Sequence, residues 1–126
     1  MSDTKAHHLS VGELGESLAC KFLENKCYLI LDRNWRTWWG EIDIIAKRKD
    51  KVLFVEVKTS AKDFLTDFDK TDYRPEEKID ERKIKRLYRT IEMYCSKHEV
   101  ESFDVMAIVV LLGEKDKKAR IKMMGF

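Results

Sequence analysis

Apolar residues recur at helical spacing in two separate stretches of the chain. In the first stretch, residues 12–25, Leu14, Leu18 and Phe22 follow one another at about the period of an α-helix. The second stretch, residues 80–95, has an apolar face formed by Ile84, Leu87, Tyr88, Ile91, Tyr94 and Cys95. Because each stripe covers one side and leaves the other polar, we expect two amphipathic helices that pack on a core.

Two neighbouring segments alternate between opposite faces, as β-strands do. Residues 41–47 divide into one face with Ile42, Ile44 and Ala46 and another with Glu41, Asp43, Ile45 and Lys47. Residues 52–59 divide into one face with Leu53, Val55 and Val57 and another with Val52, Phe54, Glu56 and Lys58. The polar residues between the two segments predict a turn, and the whole predicts an antiparallel hairpin.

The remaining segments complete an α/β pattern. Residues 28–31 predict a short strand, residues 103–112 predict a strand buried on both faces, and residues 120–126 predict an edge strand. Residues 61–77 hold six acids and predict a mobile loop, and the first ten residues are expected to be flexible. This order predicts a single α/β domain over residues 1–126, with a mixed sheet against helices.

Composition narrows the class of protein. The longest apolar run has eight residues, and a membrane helix needs about 20, so no membrane partner is expected. The chain starts without an apolar secretory segment, and Cys20, Cys27 and Cys95 have no metal-binding spacing, which is typical of reduced cytoplasmic thiols. Lys and Arg total 25 against 23 Asp and Glu, so the distribution of charge must decide about nucleic acid.

The candidate chemistry lies in the predicted hairpin. Glu56 and Lys58 are two residues apart on a strand, so both side chains leave the same, otherwise apolar face. Charges on such a face are costly unless they are paired, hydrogen-bonded or bound to a metal. The hairpin register puts Asp43 beside Glu56, and two close carboxylates either raise a pKa or bind a divalent cation. Oxygen ligands suit Mg²⁺ or Mn²⁺. An ordinary ion pair on a solvated face explains these residues as well.

Basic and aromatic residues cluster in two places. Residues 78–89 hold six cations, namely Lys78, Arg82, Lys83, Lys85, Arg86 and Arg89. Such a row suits salt-dependent contacts with phosphates, although a solvated helix face explains it too. The second cluster precedes the hairpin and holds Arg33, Trp35, Arg36, Trp38 and Trp39. Trp35 is expected in the core. We hypothesise that Trp38 or Trp39 stacks on bases of branched or single-stranded DNA.

Four motifs carry a resemblance to a known family. They are residues 12–19 (GELGESLA), 33–36 (RNWR), 40–46 (GEIDIIA) and 54–59 (FVEVKT). Through them, and through Lys83 and residues 103–105, the chain resembles the small bacterial YraN family of predicted endonucleases, in the PD-(D/E)xK group. The resemblance spans about residues 10–126. Its most specific part is an ExK motif in an apolar strand, 13 positions after the Asp of GEIDII.

The resemblance implies a restriction-endonuclease-like three-layer core, with a mixed β-sheet flanked by helices. It implies a metal-dependent endonuclease that hydrolyses phosphodiester bonds in DNA with Mg²⁺ or Mn²⁺. The cation would be held by Asp43, Glu56 and the backbone carbonyl of Val57. Lys58 would orient the attacking water and stabilise charge on the phosphate. Glu16 would be a further acid and candidate metal ligand, and Lys83 a further catalytic residue.

The expected substrate is structured or branched DNA, by analogy with resolvases of the same group. The DNA contacts would come from Arg33, Arg36, Trp38, Trp39, Arg82, Lys85, Arg86 and Arg89. A homodimer would let chains with one site cut both strands, and residues 103–112 and 120–126 are the candidate dimer surfaces.

Some positions depart from the family pattern, and a second function stays open. Ile42 stands where the group name has Pro, and Ser60 stands where Arg is usual. The alternative is a non-catalytic nucleic-acid-binding or scaffolding module that retains the nuclease fold. RNA is disfavoured as a substrate because no feature of the sequence reads a 2′-hydroxyl.

Overall fold

The computed structural model describes residues 9–62 and 81–125, which form two helices and five strands. In chain order they are α1 (Val11–Asn25), β1 (Leu29–Thr37), β2 (Gly40–Arg48), β3 (Lys51–Lys62), α2 (Glu81–His98), β4 (Phe103–Gly113) and β5 (Ala119–Gly125). Both predicted helices are confirmed. Most of the predicted flexible start and of the predicted loop at 61–77 lies outside the described residues.

The strands form one mixed sheet in the order β1-β2-β3-β4-β5. Neighbouring strands are antiparallel, except that β3 and β4 run parallel and have α2 in the connection between them. Helix α1 packs on one face of the sheet and α2 on the other. The predicted α/β fold is therefore confirmed, and its three layers are consistent with a restriction-endonuclease-like core. Within the described residues, neither helix is long and apolar enough to cross a membrane.

Each face of the sheet buries its own core. On the α1 side, the buried residues are Ala19, Cys20, Leu23, Ile44, Ala46, Leu53, Val55, Ile108 and Val110. On the α2 side, they are Ile42, Ile45, Val52, Phe54, Ile91 and Tyr94. Trp35 packs against the second core, with its ring edge-on to Tyr94 at 5.2 Å between centroids, as predicted. These cores fix the two central strands from which the candidate site projects.

Helix α1 begins with a capping box. Ser10 accepts a hydrogen bond from the Glu13 backbone N–H, and the Glu13 carboxylate accepts one from the Ser10 backbone N–H, both at 3.0 Å. The backbone N–H of Ser10, followed by its side chain, holds the pKa of Glu13 below its usual value. One turn later, Gly15 is buried against Thr59 of β3, which brings α1 close to the strand that carries Glu56.

Strand β4 lies inside the sheet. Its residues from Ala107 to Leu111 are buried, which confirms the predicted burial on both faces. Because β4 pairs with β3 on one edge and β5 on the other, its edges are occupied. Of the two candidate dimer surfaces, only β5 keeps an edge that pairs with no other strand of the described chain.

Three sequence predictions about the strands need correction. Strand β1 is not confined to residues 28–31, because it continues through the Arg33–Trp35 segment to Thr37. Strand β3 runs to Lys62, because parallel pairing with β4 extends it past the predicted end and into the predicted loop.

The third correction concerns the faces of β2. Alternation predicted Ile42 and Ile44 on one face, but Ile42 packs on the α2 side and Ile44 on the α1 side. The ladder between β2 and β3 ends at the pair Ile44–Val55, so β2 is free to twist beyond it. Across from this point, Asn34 of β1 has a φ of 51°, an irregularity that also reorients a strand. Asp43 lies at this break.

Candidate active site

Asp43 and Glu56 lie where β2 and β3 separate. The hairpin register pairs Ile44 with Val55 and Arg48 with Lys51, which is the predicted register. The next positions outward are Asp43 and Glu56, and their carboxyl groups interact directly, as a hydrogen-bonding pair and through charge. Asp43 Oδ2 also accepts a hydrogen bond of 2.7 Å from the backbone N–H of Val57. The structure thus brings the two predicted carboxylates together.

Burial and a neighbouring negative charge raise the pKa of Asp43 in this pair. The pKa of Asp43 is raised from 3.8 to about 8, first by burial and then by the negative charge of Glu56. The hydrogen bond from Val57 lowers this pKa, and the hydrogen bond with Glu56 and the charge of Glu16 raise it further. Two carboxyl groups that close share a proton in the absence of another cation. A divalent cation bound between them would take the place of that proton.

Lys58 is the cation beside the pair. Its Nζ lies 3.5 Å from Glu56 Oε2, and both side chains are about one-quarter exposed. The two residues leave the same face of β3, as their spacing predicted. The ammonium group is therefore both held by Glu56 and open to a ligand that enters from solvent.

Glu16 of α1 stands next to this group. Its Oε1 accepts a hydrogen bond of 3.0 Å from Asn34 Nδ2 and lies 4.0 Å from Arg33 Nη2. Its charge contributes to the raised pKa of Asp43, so it belongs to the same electrostatic site. In the described part of the chain, however, no three His, Cys, Asp or Glu residues are grouped as a ready metal site. Glu16 is thus near enough to affect Asp43 through its charge, but it does not form a three-ligand group with Asp43 and Glu56.

The donor set fits Mg²⁺ or Mn²⁺. Asp43 and Glu56 offer carboxylate oxygens alone, and hard divalent cations bind through one or two protein carboxylates while keeping several waters. The backbone N–H of Val57 points to Asp43, and a contact by its carbonyl stays a prediction.

A cavity joins Glu56 of the pair to α2. It has a volume of about 290 Å³ and is lined by Gly40, Glu41, Glu56, Lys83, Arg86, Leu87 and Thr90. Lys83 and Arg86 thereby face the same space as Glu56. Glu41 lies at the edge of this cavity and accepts a hydrogen bond of 2.8 Å from Arg36. The predicted catalytic candidate Lys83 is thus close to the carboxylates, with cations on one wall and acids on the other.

Comparison with known proteins identifies the family. The model of uncharacterised protein family UPF0102 matches residues 15–108, a span that includes Asp43, Glu56, Lys58 and Lys83. The chain belongs to family UPF0102. A UPF0102 protein of Campylobacter jejuni is 41% identical over 91 residues, 72% of this chain and 73% of the relative. A UPF0102 protein of Clostridium botulinum is 35% identical over 79% of this chain and 80% of the relative. A UPF0102 protein of Bacteroides thetaiotaomicron is 34% identical over 86% of this chain and 84% of the relative. The named relatives are bacterial.

The predicted nucleic-acid residues of this UPF0102 chain fall into two groups. Four exposed cations of α2, namely Arg82, Lys85, Arg86 and Arg89, line a cavity of about 360 Å³ together with Trp39. Arg33 and Arg36 instead contact acids, since Arg33 approaches Glu16 and Arg36 pairs with Glu41. The structure therefore brings the α2 cations and the tryptophans together, whereas Arg33 and Arg36 are partly neutralised. Lys78 lies outside the described residues.

Sequence reasoning missed Asn34 of this UPF0102 chain. Its side chain donates the hydrogen bond that holds Glu16, and its own backbone is left-handed. Asn is rare inside strands and tolerates the left-handed conformation. The signal for Asn34 was therefore its unusual position inside a strand next to a candidate metal motif. The predicted strand ended at residue 31, so this position was recognised only once the structure extended β1 to Thr37.

Proposed function

We propose that the chain is a Mg²⁺- or Mn²⁺-dependent endonuclease that hydrolyses phosphodiester bonds in DNA. The observation that carries this proposal is the contact between the Asp43 and Glu56 carboxyl groups, with Lys58 Nζ 3.5 Å from Glu56. A half-buried carboxylate pair that favours a shared proton is a poor structural element and a good cation site. The YraN resemblance of the same residues supports the reaction.

Each group has a defined task in this reaction. Asp43 and Glu56 would hold the cation, which would polarise a phosphoryl oxygen and lower the pKa of nearby water. The Lys58 ammonium would orient the nucleophilic water and offset the charge that develops on the phosphate. Lys83 and Arg86 would hold the phosphate near Glu56, since all three residues line one cavity. Glu16 would be a further acid beside the pair and a candidate metal ligand.

Structured or branched DNA is the proposed substrate, with RNA less suited. The exposed cations of α2 support contacts with phosphates, and such contacts need no base-specific reading. A cytoplasmic location is part of the proposal, supported by Cys20, Cys27 and Cys95, which are all free thiols. A homodimer through the edge of β5 would give two sites for two strands.

The decisive experiment is a cleavage panel. Supercoiled plasmid, single strands, flaps, four-way junctions and RNA would be incubated with Mg²⁺, Mn²⁺ or EDTA. The Glu56→Ala protein is the inactive variant, and Glu101→Gln, at an exposed position far from the carboxylates in sequence, is the matched control. We expect cleavage that needs the metal, survives in Glu101→Gln and disappears in Glu56→Ala. The thermal midpoint should rise with Mn²⁺ in the wild type and stay constant in Glu56→Ala, because only the first binds the ion.

The other outcomes are equally informative. Cleavage that survives Glu56→Ala would overturn the site assignment. A protein that binds DNA, shows no Mn²⁺ shift and cuts nothing would be the non-catalytic binding module. The exposed row of cations on α2 is the observation that favours this second function, because phosphate contacts do not require turnover.

A further inference from the structure

The turn between β1 and β2 is made of two tryptophans. Thr37 pairs with Gly40, so Trp38 and Trp39 are the whole two-residue loop. Favoured loops of this length use Asn-Gly or similar pairs, which adopt positive φ. Neither tryptophan has a positive φ, and Thr37 stabilises the loop instead, since its Oγ1 accepts a hydrogen bond from Trp39 N at 3.1 Å. Residues that contradict the local turn chemistry are expected at functional positions.

The two rings lie against each other at a tilt, and the outer ring is exposed to solvent. The Arg89 guanidinium lies 4.4 Å from the centroid of the Trp39 ring. The centroids of the Trp38 and Trp39 rings are 4.2 Å apart, and the ring planes make an angle of 31°. Trp38 is 82% exposed. One side of the stack is thus anchored by a cation on α2, and the outer ring is open to a further planar group.

Three cavities follow one another along α2 and share arginines. The cavity of Glu56 and Lys83 shares Arg86 with the cavity of Trp39, which shares Arg89 with a third cavity of about 640 Å³. The lining of the third cavity includes Trp35, Arg36, Arg89 and Lys97. We call this row the α2 groove. From Lys83 to Lys97 it follows ~21 Å of helix, at 1.5 Å per residue.

The groove combines the two features that bind single strands. Its cations follow the helix from the carboxylate pair outward, and an exposed aromatic stack stands at its middle cavity. Proteins that bind single-stranded nucleic acid use a basic groove for the backbone and aromatic rings on which bases stack. A duplex keeps its base faces inside, so it could use the cations but not the Trp38 ring.

We propose that the α2 groove binds a single-stranded DNA segment, with one base stacked on the outer face of Trp38 and the strand leading toward Glu56. The substrate class is therefore DNA with an unpaired segment beside the cut, such as a flap or an overhang. The direction of the strand rests on the proposed function, whereas the binding of unpaired bases does not. A few nucleotides fit along the groove, since one strand of a duplex rises ~3.4 Å per nucleotide.

Binding is measured in EDTA, so that cleavage cannot interfere. The probes are a dye-labelled oligothymidine of about ten nucleotides, the same length of abasic strand, a blunt duplex and the matched RNA. The variants are Trp38→Ala, Trp38→Phe and, as matched control, Tyr88→Ala, an exposed aromatic residue of α2 that lines none of the three cavities. Circular dichroism checks that each variant folds, which is expected because Trp38 is mostly exposed.

We expect Trp38→Ala to weaken oligothymidine binding roughly tenfold, as one lost stacked base does, and Trp38→Phe to weaken it less. The abasic and duplex probes should bind the wild type and Trp38→Ala with equal affinity. Tyr88→Ala should bind oligothymidine as the wild type does. A Trp38→Ala affinity for oligothymidine within about twofold of wild type would overturn the stack, given the expected size of the loss. Equal losses on the abasic strand would do the same. Tighter binding of RNA would overturn the choice of DNA. None of these results depends on whether the protein cuts, which the metal and Glu56→Ala comparison decides separately.

Discussion

At the scale of single residues, Asp43 links the candidate site to folding. Its pKa is about 8 in the folded chain, against an ordinary value of 3.8. Between these values the folded protein keeps a proton that the unfolded chain has released. The contribution of this group to the free energy of unfolding is therefore fully present below about pH 4 and is lost as pH rises to about 8. A carboxylate pair so arranged opposes folding at the pH at which it would bind a cation.

This linkage gives a prediction for Asp43→Asn. In EDTA, the free energy of unfolding of the wild type should fall between pH 5 and pH 8 by up to about 1.4 kcal/mol per pH unit, because one proton is held by the pair. In Asp43→Asn the fall should be much smaller, since the neutral amide leaves Glu56 without a like charge. Urea unfolding at several pH values measures both slopes.

The control for this experiment is Asp50→Asn, which changes an exposed acid in the turn between β2 and β3. Its slope should match the wild type. If the wild-type stability were flat over this range, the carboxyl groups would not share a proton and the proposed cation site would lose its electrostatic basis.

At the scale of elements, the contact between α1 and β3 sets the position of Glu16. Gly15 lies against Thr59, and a Cβ at Gly15 would approach to 2.7 Å from the Thr59 Cβ and closer to its hydroxyl. Real Cβ atoms do not come so near, so α1 would have to move away from β3. Glu16 is the next residue of the helix, and it would move with it.

Gly15→Ala should therefore destabilise the protein by about 1–3 kcal/mol, the usual cost of overpacking, although Ala favours a helix. Gly12→Ala is the matched control, because its Cβ would meet only Ser10 Oγ at 3.9 Å. It should leave stability unchanged or raise it slightly. Thermal unfolding of the two variants measures the difference. A Gly15→Ala protein as stable as Gly12→Ala would show that the close approach of α1 is not required.

How far the sequence predicts this molecule differs between elements. The helices and the hairpin follow from periodicity, because each buries one regular face, and the register then brings Asp43 to Glu56. The length of β1 does not follow, since polar residues such as Arg33 and Asn34 interrupt its apolar pattern. Nor does the reversal between Ile42 and Ile44, because alternation assumes a regular pleat and the strand twists where it leaves β3. The site lies at that irregular point.

At the scale of the whole molecule, charged residues are numerous and unevenly distributed. The net charge is only +2, yet α2 presents an exposed row of cations beside the carboxylate pair. Under the proposed function, the field that would attract a phosphate backbone comes from one face, and the acids that would bind a metal lie at its end. One chain brings together one such carboxylate pair within residues 9–62 and 81–125, so under the proposed function one chain would cut one strand at a time.

This gives a prediction for the products of a supercoiled plasmid. If the protein acts as a monomer, open circles should accumulate first, and linear DNA should follow only as second cuts fall near the first. The initial rate should then rise in proportion to protein concentration. Agarose gels of a time course at several concentrations measure both quantities, with Glu56→Ala as the blank.

A homodimer through β5 changes both observations. Two sites held together would release linear DNA without an excess of open circles, and the rate would rise more steeply than concentration at low protein, where dimers dissociate. The substitution Ala119→Pro, at the exposed first position of β5, would separate the cases, because the alternation of the ladder directs this N–H away from β4 and proline removes it from the open edge. If the variant remains folded, open circles should accumulate before linear DNA, as expected for a monomer. A pattern unchanged by that substitution would mean that the second site reaches the DNA by another surface.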